Sequence, residues 1–213
     1  MHTTSNAACR HSAHFYLGGY PAERVGDFIA AGLHAGEACV LLLTELHRRA
    51  VEKRLRALGL PADARRAQGG SYRTIDTHEA LGQVFTEGRL DLPLAKALLT
   101  DVLRPPASTR TPRTCAVGDL APTLLANGHA GAALAFESAV DRLAVVHGAK
   151  VFCAYPLAHF WREGRPRSLI GVCAEHAALE FPDRPWAHGF LPPADAARAM
   201  LSGWAVTAGR TRP

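Results

Sequence analysis

The feature that most constrains the fold is the run Ala38-Cys39-Val40-Leu41-Leu42-Leu43, six apolar residues closed by Thr44 and Glu45. A strand with one solvated face alternates polar and apolar side chains. An unbroken apolar run instead suits a strand covered on both faces, as in a parallel sheet flanked by helices. The neighbouring segments agree. Upstream, Val25, Phe28, Ile29 and Leu33 recur at helical spacing behind Pro21 and stop at Gly36. Downstream, Thr44 is placed to cap a helix whose inner stripe is Leu46, Val51, Leu55 and Leu58, with Gly59 at its end.

The alternation continues along the chain. Ala13 to Leu17 reads as a strand running into the Gly18-Gly19 turn, residues 71–76 as a strand, and Leu81 to Phe85 as part of a short helix. A helix over 92–103 is closed by Arg104-Pro105-Pro106, and 106–112 is a polar loop. Residues 114–120 form a strand, Pro122 to His147 a helical stretch interrupted near Gly128, and 150–156 a further strand. Repeated strand and helix predict an α/β domain with a mostly parallel central sheet. Beyond Pro156 the pattern weakens: 168–173 suits either a strand or a helix start, Ala174 to Glu180 reads as helical, 182–192 is proline-rich, and Ala194 to Trp204 is amphipathic.

Composition removes several function classes. With 48% hydrophobic and 20% charged residues the chain is an ordinary globule. Its longest uncharged stretch, 120–136, contains Pro122, Gly128 and Gly131 and is too short for a bilayer. The first thirty residues lack a secretory pattern, so the expected location is cytoplasmic, with no membrane contact. The net charge of +5 comes from 24 basic and 19 acidic residues dispersed along the sequence, which argues against direct nucleic-acid binding. Arg48, Arg49, Lys53, Arg54 and Arg56 do cluster on one helix, as a solvated face or as a docking surface for an acidic partner. Five cysteines, an odd number, suit free thiols in a reducing compartment.

In open α/β sheets, ligands bind outside the carboxyl ends of the strands. Those ends carry His14, Tyr16, Glu45, Asp119, Cys153 and Tyr155, and Glu137 adds a carboxylate within an apolar helical stripe. A buried carboxylate requires a partner or a ligand cavity. The strand, glycine turn and helix at the start also frame a phosphate loop, but Glu23 or Arg24 falls where the second glycine belongs, and the lysine and hydroxyl are missing. No ATP is expected. Cys9-x-His11-x-x-His14 and Cys173-x-x-His176, with His159, contain ligands for zinc, copper or haem; a metal set drawn from His14, His159, Cys173 and His176, with Cys153 a further thiol, is the alternative. No nucleophile elbow is present, so an enzyme is not expected.

Taken in order, HFYLGGYPAERVGDFIAAGLHAGEACVLLLTELHRRAVEKRLRALG, TCAVGDLAPTLLANG, FESAVDRL and VFCAYPL resemble the MEDS family, sensory domains named from methanogens, methylotrophs and the regulator DcmR. AAGLHAGEACVLLLTE is also similar to a stretch of KaiC and RecA-like ATPases. The resemblance implies a RecA-like three-layer sandwich without ATPase motifs over residues 12–160; the polar, pattern-free residues 1–11 read as a disordered lead, and 161–213 as a C-terminal extension packing on the same domain. It implies a non-enzymatic sensory domain that binds a small molecule and regulates a partner protein in transcriptional or kinase signalling. A ligand-free scaffold is the other alternative, and the sequence leaves a homodimer open. The family's usual Gly-Glu at the fourth strand is Gly118-Asp119 here.

Overall fold

The computed structural model describes residues 10–60, 72–107, 109, 111–161 and 166–182. Cys9 with the rest of the lead before Arg10, the proline-rich stretch beyond Pro182, and the amphipathic segment 194–204 lie outside the described residues.

The first half of the chain forms β1 (His11–Tyr16), α1 (Ala22–His34), β2 (Ala38–Leu43), α2 (Glu45–Ala57), β3 (Tyr72–Asp76), α3 (Thr77–Val84), β4 (Phe85–Thr86), β5 (Arg89–Leu90) and α4 (Leu92–Leu103). There follow β6 (Thr114–Gly118), α5 (Leu120–Ala126), α6 (Ala130–His147), β7 (Lys150–Pro156), α7 (Ala158–Trp161), α8 (Pro166–Glu175) and β8 (Ala178–Glu180). Six strands build one sheet, parallel at every pairing, in the order β3-β2-β6-β7-β1-β8. Helices cover both faces, a three-layer α/β sandwich of RecA-like form. None of the described helices is long and apolar enough to cross a membrane.

β2 occupies the apolar run, and all six of its residues are buried. Cys39, Leu41 and Leu43 pack with Val25, Ile29, Leu33, Val51 and Leu55 of α1 and α2. Val40 and Leu42 belong to the opposite core, with α3, α4, α5 and α6. Each fully buried leucine contributes about 1.5–3 kcal/mol over an exposed one, so a strand that buries both faces anchors two cores at once. Helix α1 comes close to the sheet at Gly32, where an added Cβ would lie 2.9 Å from Cys115 Cβ and 3.0 Å from Cys39 Sγ.

The structure revises several boundaries. β1 begins at His11, two residues before the expected strand, which takes His11 out of the lead and buries it completely. The strand of 114–120 stops at Gly118, because Leu120 already opens α5. Residues 85–90 fold as a separate hairpin turned by Glu87 (φ 51°) and Gly88 (φ 75°), the paired left-handed conformation that two-residue hairpins use. Residues 168–173 are helical, within α8. The helix expected over 174–180 does not form: α8 ends at Glu175, and Ala178–Glu180 becomes β8. The reason is tertiary. Without β8, β1 would present unpaired backbone groups along its outer edge, and pairing with Ser12, Ala13 and His14 satisfies them.

Candidate functional site

Strand alternation divides the side chains singled out from the sequence. β1 and β7 are neighbours, with His14 opposite Ala154 and Phe15 opposite Tyr155. Tyr16 belongs with the α1 and α2 core, and His14 stacks on Phe152 of that face, ring centroids 5.9 Å apart. Cys153 and Tyr155 belong to the other face. A pocket built from His14, Tyr16 and Tyr155 together therefore does not exist, because the sheet lies between them. His14 instead bonds Glu180 Oε2 through Nδ1 (3.1 Å), and Arg24 holds the same carboxylate.

At the carboxyl ends of the strands, Asp119 is buried and its Oδ2 accepts three hydrogen bonds: from Thr44 N (3.0 Å), Thr44 Oγ1 (3.3 Å) and His47 Nδ1 (2.7 Å). Its side chain therefore ties β6 to the start of α2 and makes no capping bond to α5. Tyr20 stacks on His47 at 3.7 Å between centroids, with an interplanar angle of 11°. Burial, and then the Asp119 charge, push the Tyr16 and Tyr20 phenols up, so both stay protonated. Tyr16, Tyr20, Thr44 and His47 thus gather around Asp119 at the strand ends, where the buried Tyr20 hydroxyl has no hydrogen-bond partner among the described residues. Glu45 lies outside this group, on the exposed first turn of α2, paired with Arg48 and Arg49. The basic face of α2 is likewise largely neutralised: Arg48 also pairs with Glu52, and Arg54 with Asp27.

A second cluster lies on the opposite face, between β1, β7, α6 and the turn after α8. His11 comes from β1, Glu137 from α6, Cys153 from β7, and His176 from just beyond α8; all four are buried. One donor atom from each lies within 4.8 Å of all the others. His11 Nε2 is 3.1 Å from Glu137 Oε2, His176 Nε2 is 3.5 Å from the same oxygen, and Cys153 Sγ is 3.7 Å from His11 Nε2 and 3.9 Å from Glu137 Oε2. The outward-facing atoms are held by neighbours. His11 Nδ1 donates to Glu175 O (3.0 Å), His176 Nδ1 donates to Val172 O (2.6 Å), and the Tyr155 hydroxyl donates to Glu137 Oε1. His176 Nε2 is buried with no hydrogen-bond partner among the described residues.

The electrostatics follow from burial. Desolvation opposes ionisation of Glu137, but the imidazoles of His176 and His11 and the Tyr155 hydroxyl outweigh it and hold the carboxyl at about 2. Burial pushes His176 down to about 4, so near neutral pH its Nε2 carries a lone pair. Burial, and next the Glu137 charge, push the Cys153 thiol up. Beside Glu137 and Cys153 an apolar cavity of about 30 Å³ opens toward Leu103, Leu120 and Phe136. It has room for a water or two.

Of the metal ligands drawn from spacing, His176 is in this cluster. His14 lies across the sheet, His159 belongs to α7 and Cys173 to α8, and burial pushes the Cys173 thiol up to about 12. Sequence reading missed His11 as a site residue. Its signal was present in the Cys9-x-His11-x-x-His14 spacing, but His11 was assigned to the lead.

A wholly parallel sheet clothed by helices, with a polar cluster buried beneath one helical layer, defines a three-layer α/β sandwich of RecA-like form as the class. The chain belongs to the MEDS family, the methanogen/methylotroph, DcmR sensory domain, whose sequence profile matches residues 11–176. That span begins at His11 and ends at His176, the first and last members of the buried cluster. A comparison with curated proteins found no match.

Proposed function

We propose that this sensory domain receives its signal at the His11–Glu137–Cys153–His176 cluster and transmits it through the docking of α8 and β8 on the sheet. The observation that carries the reading is the buried Nε2 of His176, which has no hydrogen-bond partner among the described residues. Three members of the cluster belong to the central body, and His176 alone stands on the α8–β8 segment. Whatever occupies the cluster therefore bears on that segment's attachment. Among the described residues the segment is also held by His11 Nδ1 to Glu175 O (3.0 Å), Ala177 N to His11 O (2.9 Å), the three-residue β1–β8 pairing, Glu180 with His14 and Arg24, and the core packing of Leu169 and Val172. Undocking uncovers the edge of β1, to which a strand of a regulatory partner protein can pair. Signalling is then a population shift between docked and undocked states. The device is a binding switch and not an enzyme: a thiol whose burial keeps it protonated is a poor nucleophile. It makes no direct contact with nucleic acid.

Amide hydrogen exchange on the full chain tests this. His176→Ala should speed exchange across residues 168–180 while β2 and β6 keep their protection. Unchanged exchange in that segment, or equal loosening of the whole domain, overturns the reading.

A further inference from the structure

The geometry points to a single divalent transition-metal ion of the zinc type, held tetrahedrally by His11 Nε2, Glu137 Oε2, Cys153 Sγ and His176 Nε2. This names the ligand of the signal-receiving cluster, and only its signalling role rests on that earlier reading.

Spacing is the first argument. An ion binding nitrogen and oxygen at about 2.0–2.1 Å and sulfur at about 2.3 Å sets tetrahedral donors about 3.3 Å apart, or about 3.6 Å where sulfur is one of the pair. Four of the cluster's six separations are 3.1 and 3.5 Å from the imidazole nitrogens to the carboxylate oxygen, and 3.7 and 3.9 Å from the sulfur to His11 Nε2 and that oxygen; the two others lie within 4.8 Å. The outer contacts are the second argument. Metal-binding imidazoles donate their other N–H to a carbonyl or carboxylate, which fixes the tautomer and aims the free nitrogen at the ion. Both histidines do so here, through Glu175 O and Val172 O, and Tyr155 holds the outer carboxylate oxygen in the same manner.

Lone pairs are the third argument. Both imidazoles commit the Nδ1 proton to a carbonyl, and the buried His176 Nε2 has no hydrogen-bond partner among the described residues; a cation beside Glu137 Oε2 takes up its lone pair. Charge is the fourth: a thiolate and a carboxylate neutralise a divalent ion, so the sealed site carries no net charge. Two nitrogens, one sulfur and one oxygen suit zinc, whereas calcium and magnesium require oxygen cages. Four donors within 4.8 Å leave no room for a haem macrocycle.

The test uses the full chain, stripped with a chelator and titrated with cobalt(II), then zinc(II). The expected result is visible bands of a tetrahedral ion with a thiolate-to-cobalt charge-transfer band, saturating at one equivalent and bleached by zinc. Cys153→Ser should lose the charge-transfer band, and His176→Gln should lower affinity more than an outer contact would. Tyr155→Phe, which removes only an outer contact, should keep the bands and weaken binding about 10–100-fold; it carries the test if the other two fail to fold. Absence of tetrahedral bands in excess cobalt overturns the site, as does a charge-transfer band that survives Cys153→Ser in folded protein, or unchanged affinity in Tyr155→Phe. Failure to bind metal leaves the hydrogen-exchange reading standing. Metal that binds without altering exchange over 168–180 keeps the site and removes its signalling role.

Discussion

The strand-end cluster around Asp119 and the face cluster around Glu137 are both buried and both centre on a carboxylate, yet their hydrogen bonding differs. Asp119 Oδ2 accepts from three donors, two on Thr44 and one on His47. Glu137 Oε2 faces two imidazole nitrogens and a thiol, and one of those nitrogens has no hydrogen-bond partner among the described residues. Protein interiors rarely tolerate an unmet polar atom, so the bonds to Asp119 read as a structural tie, and the unmet His176 nitrogen is what the proposed ion would satisfy. The lesson concerns location: the strand-end carboxylate is satisfied by Thr44 and His47, although the buried Tyr20 hydroxyl beside it has no hydrogen-bond partner among the described residues, whereas Glu137 faces an unmet imidazole nitrogen beneath the helices.

The largest expected effect separates these roles most sharply. Asp119→Ala leaves the Thr44 amide, the Thr44 hydroxyl and His47 without their acceptor, and should cost about 3–5 kcal/mol of unfolding free energy with or without zinc. Urea unfolding measures it. A loss below about 1 kcal/mol would deny the strand-end cluster its structural role. Glu137→Gln should behave in the opposite way. In chelator-treated protein the glutamine can still accept from Tyr155 and can donate to an imidazole, so stability changes little. Zinc at a hundredfold its dissociation constant should stabilise the native chain by about 2.7 kcal/mol, and this increment should vanish in the variant. A zinc increment that persists in Glu137→Gln would erase the contrast between the clusters.

Much of the layer architecture was legible because apolar periodicity reports burial. The run at 38–43 gave a strand covered on both faces, and Thr44 does cap α2. The site was legible in kind and not in place. Glu137 stood out as a carboxylate in an apolar stripe, but its partners His11, Cys153 and His176 come from three segments whose meeting is a property of strand order. β7 pairs with β1 and β8 with the far side of β1, adjacency that local pattern does not encode. Placing His14 with Tyr155 failed for a related reason: the two stand on adjacent strands, but strand alternation sends them to opposite faces. β8 itself was hidden, since an alanine-rich segment prefers helix until an open sheet edge outweighs that preference.

Acid provides a milder test, directed at the segment that joins the face cluster to the rest of the fold. Burial would raise the Glu180 carboxyl, but bonds from His14 and Arg24 hold it down at about 2. With the native value below the unfolded one, the unfolded chain binds more protons between the ordinary carboxylate range and pH 2. The contribution of Glu180 is therefore complete above that range and is lost as pH falls toward 2. Glu180→Gln should flatten this part of the acid-unfolding curve and loosen β8 at neutral pH, leaving the Asp119 cluster protected. An unchanged acid slope would mean that Glu180 does not secure β8.

The smallest effect is expected at Gly171, where α8 lies against α6. A Cβ there would come within 2.7 and 2.8 Å of the two methyl carbons of Leu134. Those atoms end a flexible, partly buried side chain, so the clash is relieved by moving the methyls and not the backbone. Overpacking costs about 1–3 kcal/mol in a rigid core, while alanine in place of glycine returns up to about 1 kcal/mol of helix stability. Gly171→Ala should therefore change global stability by less than about 1 kcal/mol, with the loss concentrated in hydrogen-exchange protection of α8. Because α8 carries His176 into the cluster, zinc affinity should weaken slightly while Asp119 and its partners keep their protection. A global loss of several kcal/mol would show that α8 is part of the rigid core, and that its docking is not the adjustable step between the buried cluster and the sheet edge.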